Sequence, residues 1–151
     1  MEEEYLYKKL NVLEEVGALK DIPNIINSGI NKNIILREYQ KKAFQYFITY
    51  FETQELRKNK QIHTLFHMAT GSGKTIIMAG LVLYLYTKGY RKFLFFVNQS
   101  NIVEKTKDNF INSRSSKYLF DENLEYMGNK LKINIVNNIS ENEDIEICFT
   151  T

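Results

Sequence analysis

Seven consecutive residues, Ala69-Thr70-Gly71-Ser72-Gly73-Lys74-Thr75, have types and spacing that suit a chain of phosphates. A triphosphate needs many donors close to its oxygens, and side chains at the turn would block their approach. Gly71 and Gly73 let the backbone wrap so that successive N–H groups point inward. A helix that begins at the loop adds its N-terminal partial positive charge. Lys74 is placed to reach the β- and γ-phosphates, and the Thr75 hydroxyl to ligate Mg²⁺. Lys74 and Thr75 are therefore the expected catalytic residues, with Thr70, Gly71, Ser72 and Gly73 completing the cradle. The bland alternative is a chance loop of glycines and a lysine, and the strand-then-helix context tells against it. Met68 stands where the general pattern asks for glycine, which leaves the phosphate-contacting residues intact.

The elements that must position this loop follow from periodicity. Ile62 to Met68 reads as a short strand leading into it. Ile76 to Lys88 is apolar nearly all round, as in a helix buried on a sheet, and Gly89 falls where a left-handed cap is expected. Upstream, Leu36 to about Leu56 is helical, with Tyr39, Ala43, Phe44, Phe47, Ile48 and Phe51 on one face, followed by the basic linker Arg57-Lys58-Asn59-Lys60. The first thirty residues read as helix, break and short helix, with Leu6, Leu10, Leu13 and Val16 in helical register. Asp21-Ile22-Pro23 reads as an N-cap with proline early in the second helix. Phe93 to Val97 is an uninterrupted apolar run, the mark of a strand covered on both faces. A helix from about Ser100 to Phe110 follows, then a polar, turn-like stretch from Ser113 to Asn129. Two β-type runs come last, Leu131 to Val136 and Ile145 to Phe149. Strands alternating with helices predict an α/β layer structure on a parallel sheet.

Composition narrows the class. The 151 residues suit one compact domain, and 44% hydrophobic with 25% charged residues excludes a disordered, collagenous or coiled-coil chain. The lone Cys148 excludes a disulfide framework and a Cys-based zinc site, and its apolar surroundings predict a core position. His63 and His67 share one face of the predicted strand, but no acidic or Cys partner stands nearby to make a metal site. The longest apolar run is too short to cross a bilayer, and Glu2-Glu3-Glu4 has the wrong sign for a secretory signal, so a cytoplasmic protein without membrane contact is expected. The net charge of +2 conceals a division. Residues 1–30 carry −3, residues 31–120 carry fifteen Lys and Arg against five acids, or +10, and residues 121–151 carry −5. A basic middle suits either a polyanion partner or a solvated lysine-rich surface.

Taken together, the segments resemble the superfamily 2 (DEAD/DEAH-box-like) helicases and translocases, above all the motor region of type III and type I restriction enzyme subunits. Leu36-Arg37-Glu38-Tyr39-Gln40 resembles the family's adenine-reading segment, which implies base pairing by Gln40 with Arg37 beside it. Met68 to Thr75 resembles motif I, where those enzymes often carry a non-glycine first residue. Phe95 to Val103, including Gln99 and Ser100, resembles motif Ia, which grips the DNA backbone. Ile147 to Thr151 is similar to a strand whose Thr-Thr end, here Thr150 and Thr151, touches the tracking strand. The resemblance covers residue 22 or so to the end. It implies a helical N-terminal segment over 1–30 and, over 31–151, part of a RecA-like P-loop motor domain. It further implies ATP and Mg²⁺, duplex DNA, the rest of a parent polypeptide, and modification or specificity subunits.

Hydrolysis also needs an acid to hold Mg²⁺ and another to position water. The family's Asp-Glu box is mimicked only by Tyr118-Leu119-Phe120-Asp121-Glu122, which follows motif Ia too closely and reads as a decoy. The expectation is an N-terminal piece of a larger motor, inactive alone, whose acidic box lies beyond Thr151. Two other readings stay open. One is a self-contained small P-loop kinase using Asp121. The other is a nucleotide-binding module without turnover.

Overall fold

The computed structural model describes residues 5–58, 61–97 and 100–150, the Ser100 side chain excepted. The chain divides into two compact units. One comprises Met1–Ile22 with Leu36–Gly73, the other Pro23–Ile35 with Lys74–Thr151.

The first unit is helical. Helix α1 (Leu6–Glu15) packs on α3 (Glu38–Glu52), and a short α4 (Gln54–Arg57) follows. The helical spacing of apolar residues in α3 buries Phe44, Phe47, Ile48 and Tyr50, and α1 contributes Leu10. Polar groups tie the two helices together at one end. Tyr46 Oη lies 2.7 Å from both Asn11 Oδ1 and Glu14 Oε2, and Lys42 Nζ lies 2.6 Å from Glu14. The Lys42 and Tyr46 hydrogen bonds hold the Glu14 carboxyl below its ordinary pKa. The predicted strand from Ile62 to Met68 is absent: residues 61–69 lie alongside the helices without regular structure. A strand is defined by its ladder, and this unit supplies no sheet among the described residues. Phe66 is held instead by ring packing on Phe47, with centroids 6.0 Å apart, while Leu65 is 90% exposed.

The second unit is α/β. It contains α2 (Asn24–Gly29), α5 (Lys74–Thr87), β1 (Lys92–Phe96), α6 (Ser100–Ile111), the hairpin β2 (Glu125–Tyr126) and β3 (Asn129–Lys130), then β4 (Ile133–Val136) and β5 (Ile145–Thr150). Helix α5 carries apolar residues all round and buries Ile77, Ala79, Val82, Leu83 and Tyr84. Gly29 permits α2 to lie close on it, because a Cβ there would come 2.7 Å from Leu83 Cδ1. Helix α2 starts at Asn24, with Pro23 in the cap position and no side-chain cap, so Asp21 does not cap it as expected. Gly89, at φ +95°, takes the left-handed conformation expected after α5.

The predicted parallel sheet is present, three strands in the order β1-β5-β4. Its registers put Phe93, Phe95, Ile145, Ile147 and Phe149 on one face. That face carries the core. Phe110 of α6 is 1% exposed, with its ring 5.6 Å from Phe95, 5.4 Å from Phe120 and 6.3 Å from Phe149.

The opposite face differs from expectation. Leu94 is 56% and Phe96 76% exposed, so β1 is covered on one face only, and Cys148 on the same face is half-buried. An uninterrupted apolar run does not distinguish one covered face from two. The start of this face is covered by the connection 137–144, which must carry the chain back along the sheet from the end of β4 to the start of β5. The connection is fastened by Glu146, 2% exposed, whose carboxylate accepts from Ser140 N (2.7 Å), Ser140 Oγ (2.6 Å) and Asn142 Nδ2 (2.8 Å). Lys92 Nζ stands 3.2 Å away. The Ser140 hydroxyl and then its N–H, with Lys92 after them, hold the Glu146 carboxyl down to about 2. No helix among the described residues is long and apolar enough to cross a membrane.

Candidate functional site

Helix α3 begins at Glu38 because Arg37 is still extended, at φ −76° and ψ 155°, and its own backbone closes the first turn. Gln40, the third residue of the helix, reaches back to accept the Arg37 N–H at Oε1 (2.9 Å). This is half of a capping box, and it satisfies one otherwise orphaned donor. It also fixes the Gln40 amide, which is 3% exposed. The other end of that amide, Nε2, donates to the carbonyl oxygen of Ser72 at 2.9 Å. Two segments that stand 32 positions apart in sequence thus meet inside the first unit.

The loop that supplies Ser72 is built as its residue types demand. Gly71 and Gly73 have φ of +77° and +86°, the left-handed region that side chains disfavour. Ser72 closes the turn between them by donating to Ala69 O, from its N–H at 3.3 Å and from its hydroxyl at 2.7 Å. Thr70 and Gly71 are exposed, and Ser72 and Gly73 half-buried. Gly73 is the last residue of the first unit and Lys74 the first of the second, where it opens α5. Lys74 is exposed and Thr75 half-buried in the first turn of that helix. An apolar groove of about 990 Å³ in the first unit has Leu10, Phe47, Phe66, Tyr39 and Ser72 in its lining, so it reaches the loop.

Sequence reasoning singled out Arg37 and Gln40 but missed Tyr39. The Tyr39 hydroxyl donates to the same Ser72 oxygen at 2.8 Å and accepts from Arg37 Nη1 at 3.2 Å. Its place inside the Leu36–Gln40 segment was the available signal; its reading as part of an apolar face concealed the role.

In the second unit the segments expected to meet DNA also converge. Phe96 is the register partner of Thr150, and the Val97 N–H donates to Thr150 O at 3.0 Å. The end of β1 and the end of β5 therefore lie side by side at the carboxyl edge of a parallel sheet, where open α/β sheets place their ligands. Ser100 opens α6. Gln99 and Thr151 lie outside the described residues.

Asp121 is occupied structurally. Its side chain is 9% exposed, pairs with Lys32 at 3.4 Å and accepts the Asn123 N–H at 2.9 Å, and its own N–H donates to Gly29 O. Phe120 beside it bridges to Ile30 and buries its ring against Phe110. His63 and His67 are both exposed, and no group of three or more His, Cys, Asp or Glu among the described residues is arranged to hold a metal.

Residues 33–151 match the family described as "Type III restriction enzyme, res subunit". Over 120 residues the chain is 46% identical to the probable type III restriction-modification enzyme HindVIP Res subunit of Haemophilus influenzae. That alignment takes in 76% of this chain and 23% of the relative, so the chain spans about a quarter of the relative's length. No solved structure matches.

Proposed function

The chain belongs to the family of type III restriction enzyme res subunits, and from that membership we propose that it is the ATP-binding part of a DNA-dependent, helicase-like translocase of a restriction-modification enzyme. The observation that carries the reading is the hydrogen bond from Gln40 to Ser72, which joins the segment proposed to read the base to the loop proposed to hold the phosphates. Of the four hydrogen-bonding positions on the Gln40 amide, the Arg37 N–H and the Ser72 carbonyl take two. The remaining N–H and lone pair are the complement of the adenine N7 and N6–H₂ edge. The aromatic groove that reaches Ser72 offers the base an apolar wall.

The segment from Thr70 to Thr75 holds the phosphates, its glycines admitting a close approach of the backbone and Lys74 neutralising charge on the β- and γ-oxygens. The Thr75 hydroxyl would hold Mg²⁺, which would supply further charge neutralisation at the transferring phosphate. Hydrolysis and movement along duplex DNA belong to the whole enzyme, as do contacts with modification or specificity subunits. Within this chain, the ends of β1 and β5 with Gln99, Ser100, Thr150 and Thr151 form the DNA-backbone contact.

Isothermal titration of Mg²⁺–ATP against wild type and Lys74→Ala tests the cradle. Loss of one charge-assisted contact is expected to weaken binding about 10- to 100-fold. Equal affinity for both proteins would defeat the nucleotide assignment.

A further inference from the structure

We propose that Tyr39 is a positioning residue for the phosphate loop, acting on nucleotide affinity through the Ser72 peptide without reading the base. The inference rests on the nucleotide reading above and adds to it a second, independent anchor.

The geometry is contained within the first unit. The Ser72 carbonyl has two lone pairs, and both are engaged, one by Gln40 Nε2 at 2.9 Å and one by Tyr39 Oη at 2.8 Å. A trans peptide is planar, with its C=O and the following N–H pointing in opposite directions. Fastening the Ser72 oxygen to α3 therefore turns the Gly73 N–H away from α3. Gly73, at φ +86°, is free of any Cβ that would resist this orientation. A glycine-flanked peptide has little intrinsic preference, so its direction is set by what holds its oxygen.

Gln40 and Tyr39 hold the same atom but differ in what else they do. Gln40 keeps hydrogen-bonding capacity for a base. The Tyr39 hydroxyl spends its single proton on Ser72 and accepts from the Arg37 guanidinium, which polarises the hydroxyl and strengthens it as a donor. Tyr39 is 42% exposed and its ring lies outside the buried face of α3, so Tyr39→Phe removes one oxygen and leaves the core intact.

The test is equilibrium binding of Mg²⁺–ATP, Mg²⁺–GTP and Mg²⁺–tripolyphosphate to wild type, Tyr39→Phe, Gln40→Ala and Lys74→Ala. Thermal midpoints are recorded for each protein to confirm folding. Tyr39→Phe is expected to weaken all three ligands by the same factor, about three- to tenfold. Gln40→Ala is expected to weaken ATP more than tripolyphosphate and so to narrow the gap between ATP and GTP. If Tyr39→Phe binds all three as wild type does while Lys74→Ala does not, the positioning role is overturned and the nucleotide reading stands. If Tyr39→Phe loses ATP but keeps tripolyphosphate, Tyr39 acts on the base and the proposal is wrong. If Lys74→Ala equals wild type throughout, the nucleotide reading fails and takes this inference with it.

Discussion

The loop corner around Ser72 and the strand-end corner around Thr150 solve the problem of placing polar groups in opposite ways. At the loop corner the polar atoms are tied to one another. Arg37, Tyr39, Gln40 and Ser72 form a closed set of hydrogen bonds between 2.8 and 3.2 Å. At the strand-end corner the backbone is held by a parallel ladder, the side chains beneath it are aromatic, and the face beyond it is left open by Leu94 and Phe96. A small ligand of fixed shape rewards donors that are already aimed, since ordering them at the moment of binding costs affinity. A long polyanion is held by many weak contacts over an open surface and needs a rigid base more than aimed donors. The two corners have those two characters.

That contrast breaks first at the aromatic base. If the strand-end corner depends on a dry core, Phe110→Ala should be the most damaging substitution in the second unit. It removes the ring that touches Phe95, Phe120 and Phe149. A loss of about 3–5 kcal/mol is expected, read from the midpoint of a urea titration followed by circular dichroism. A midpoint unchanged within error would mean that the sheet is supported by something other than this cluster.

Charge separates the two corners in a second way. Glu146 is a buried carboxylate of the second unit, held by donors as the loop corner is held. Its carboxyl is depressed from 4.5 to about 2, by the Ser140 hydroxyl and N–H first and Lys92 after them. A depressed carboxyl contributes stability that is fully present above its unfolded value and is lost as pH falls through the folded one. The gap in thermal midpoint between wild type and Glu146→Gln should therefore be widest at neutral pH and close between about pH 4.5 and pH 2. A gap independent of pH would show that the connection 137–144 is held by packing alone.

These elements differ in how legible they are in the amino-acid sequence. The helices and the parallel strands follow from periodicity and glycine placement, and the loop from its residue types. Nothing local distinguishes the run Ile62 to Met68 from a strand, because strand formation depends on a partner that sequence does not display. The same limit hides the open face of β1: five consecutive apolar residues say nothing about which face is covered. Gln40 is readable because its segment is recognisable, whereas the Tyr39 hydroxyl is masked by a ring that fits an apolar pattern. Glu146 has a faint signal, a single acid inside an apolar run. The residues that fasten it, Ser140 and Asn142, look like ordinary loop polarity.

The smallest effect belongs to Thr150, and it bears most directly on the open corner. Its carbonyl accepts from the Val97 N–H, and its hydroxyl is the side-chain donor it can offer a phosphate. Thr150→Val keeps the β-branched shape that suits a strand and removes that hydroxyl alone. Duplex DNA affinity should fall by about two- to fourfold, with no change in thermal midpoint. Because threonine carries no charge, the dependence of affinity on salt should keep its slope, whereas removing a phosphate-contacting lysine would reduce it by about one. Fluorescence anisotropy at three salt concentrations separates these cases. A fall in affinity with an unaltered slope places a neutral donor at the strand end. Unchanged affinity would remove Thr150 from the DNA contact and leave the carboxyl edge of the sheet as scaffold for whatever does grip the backbone.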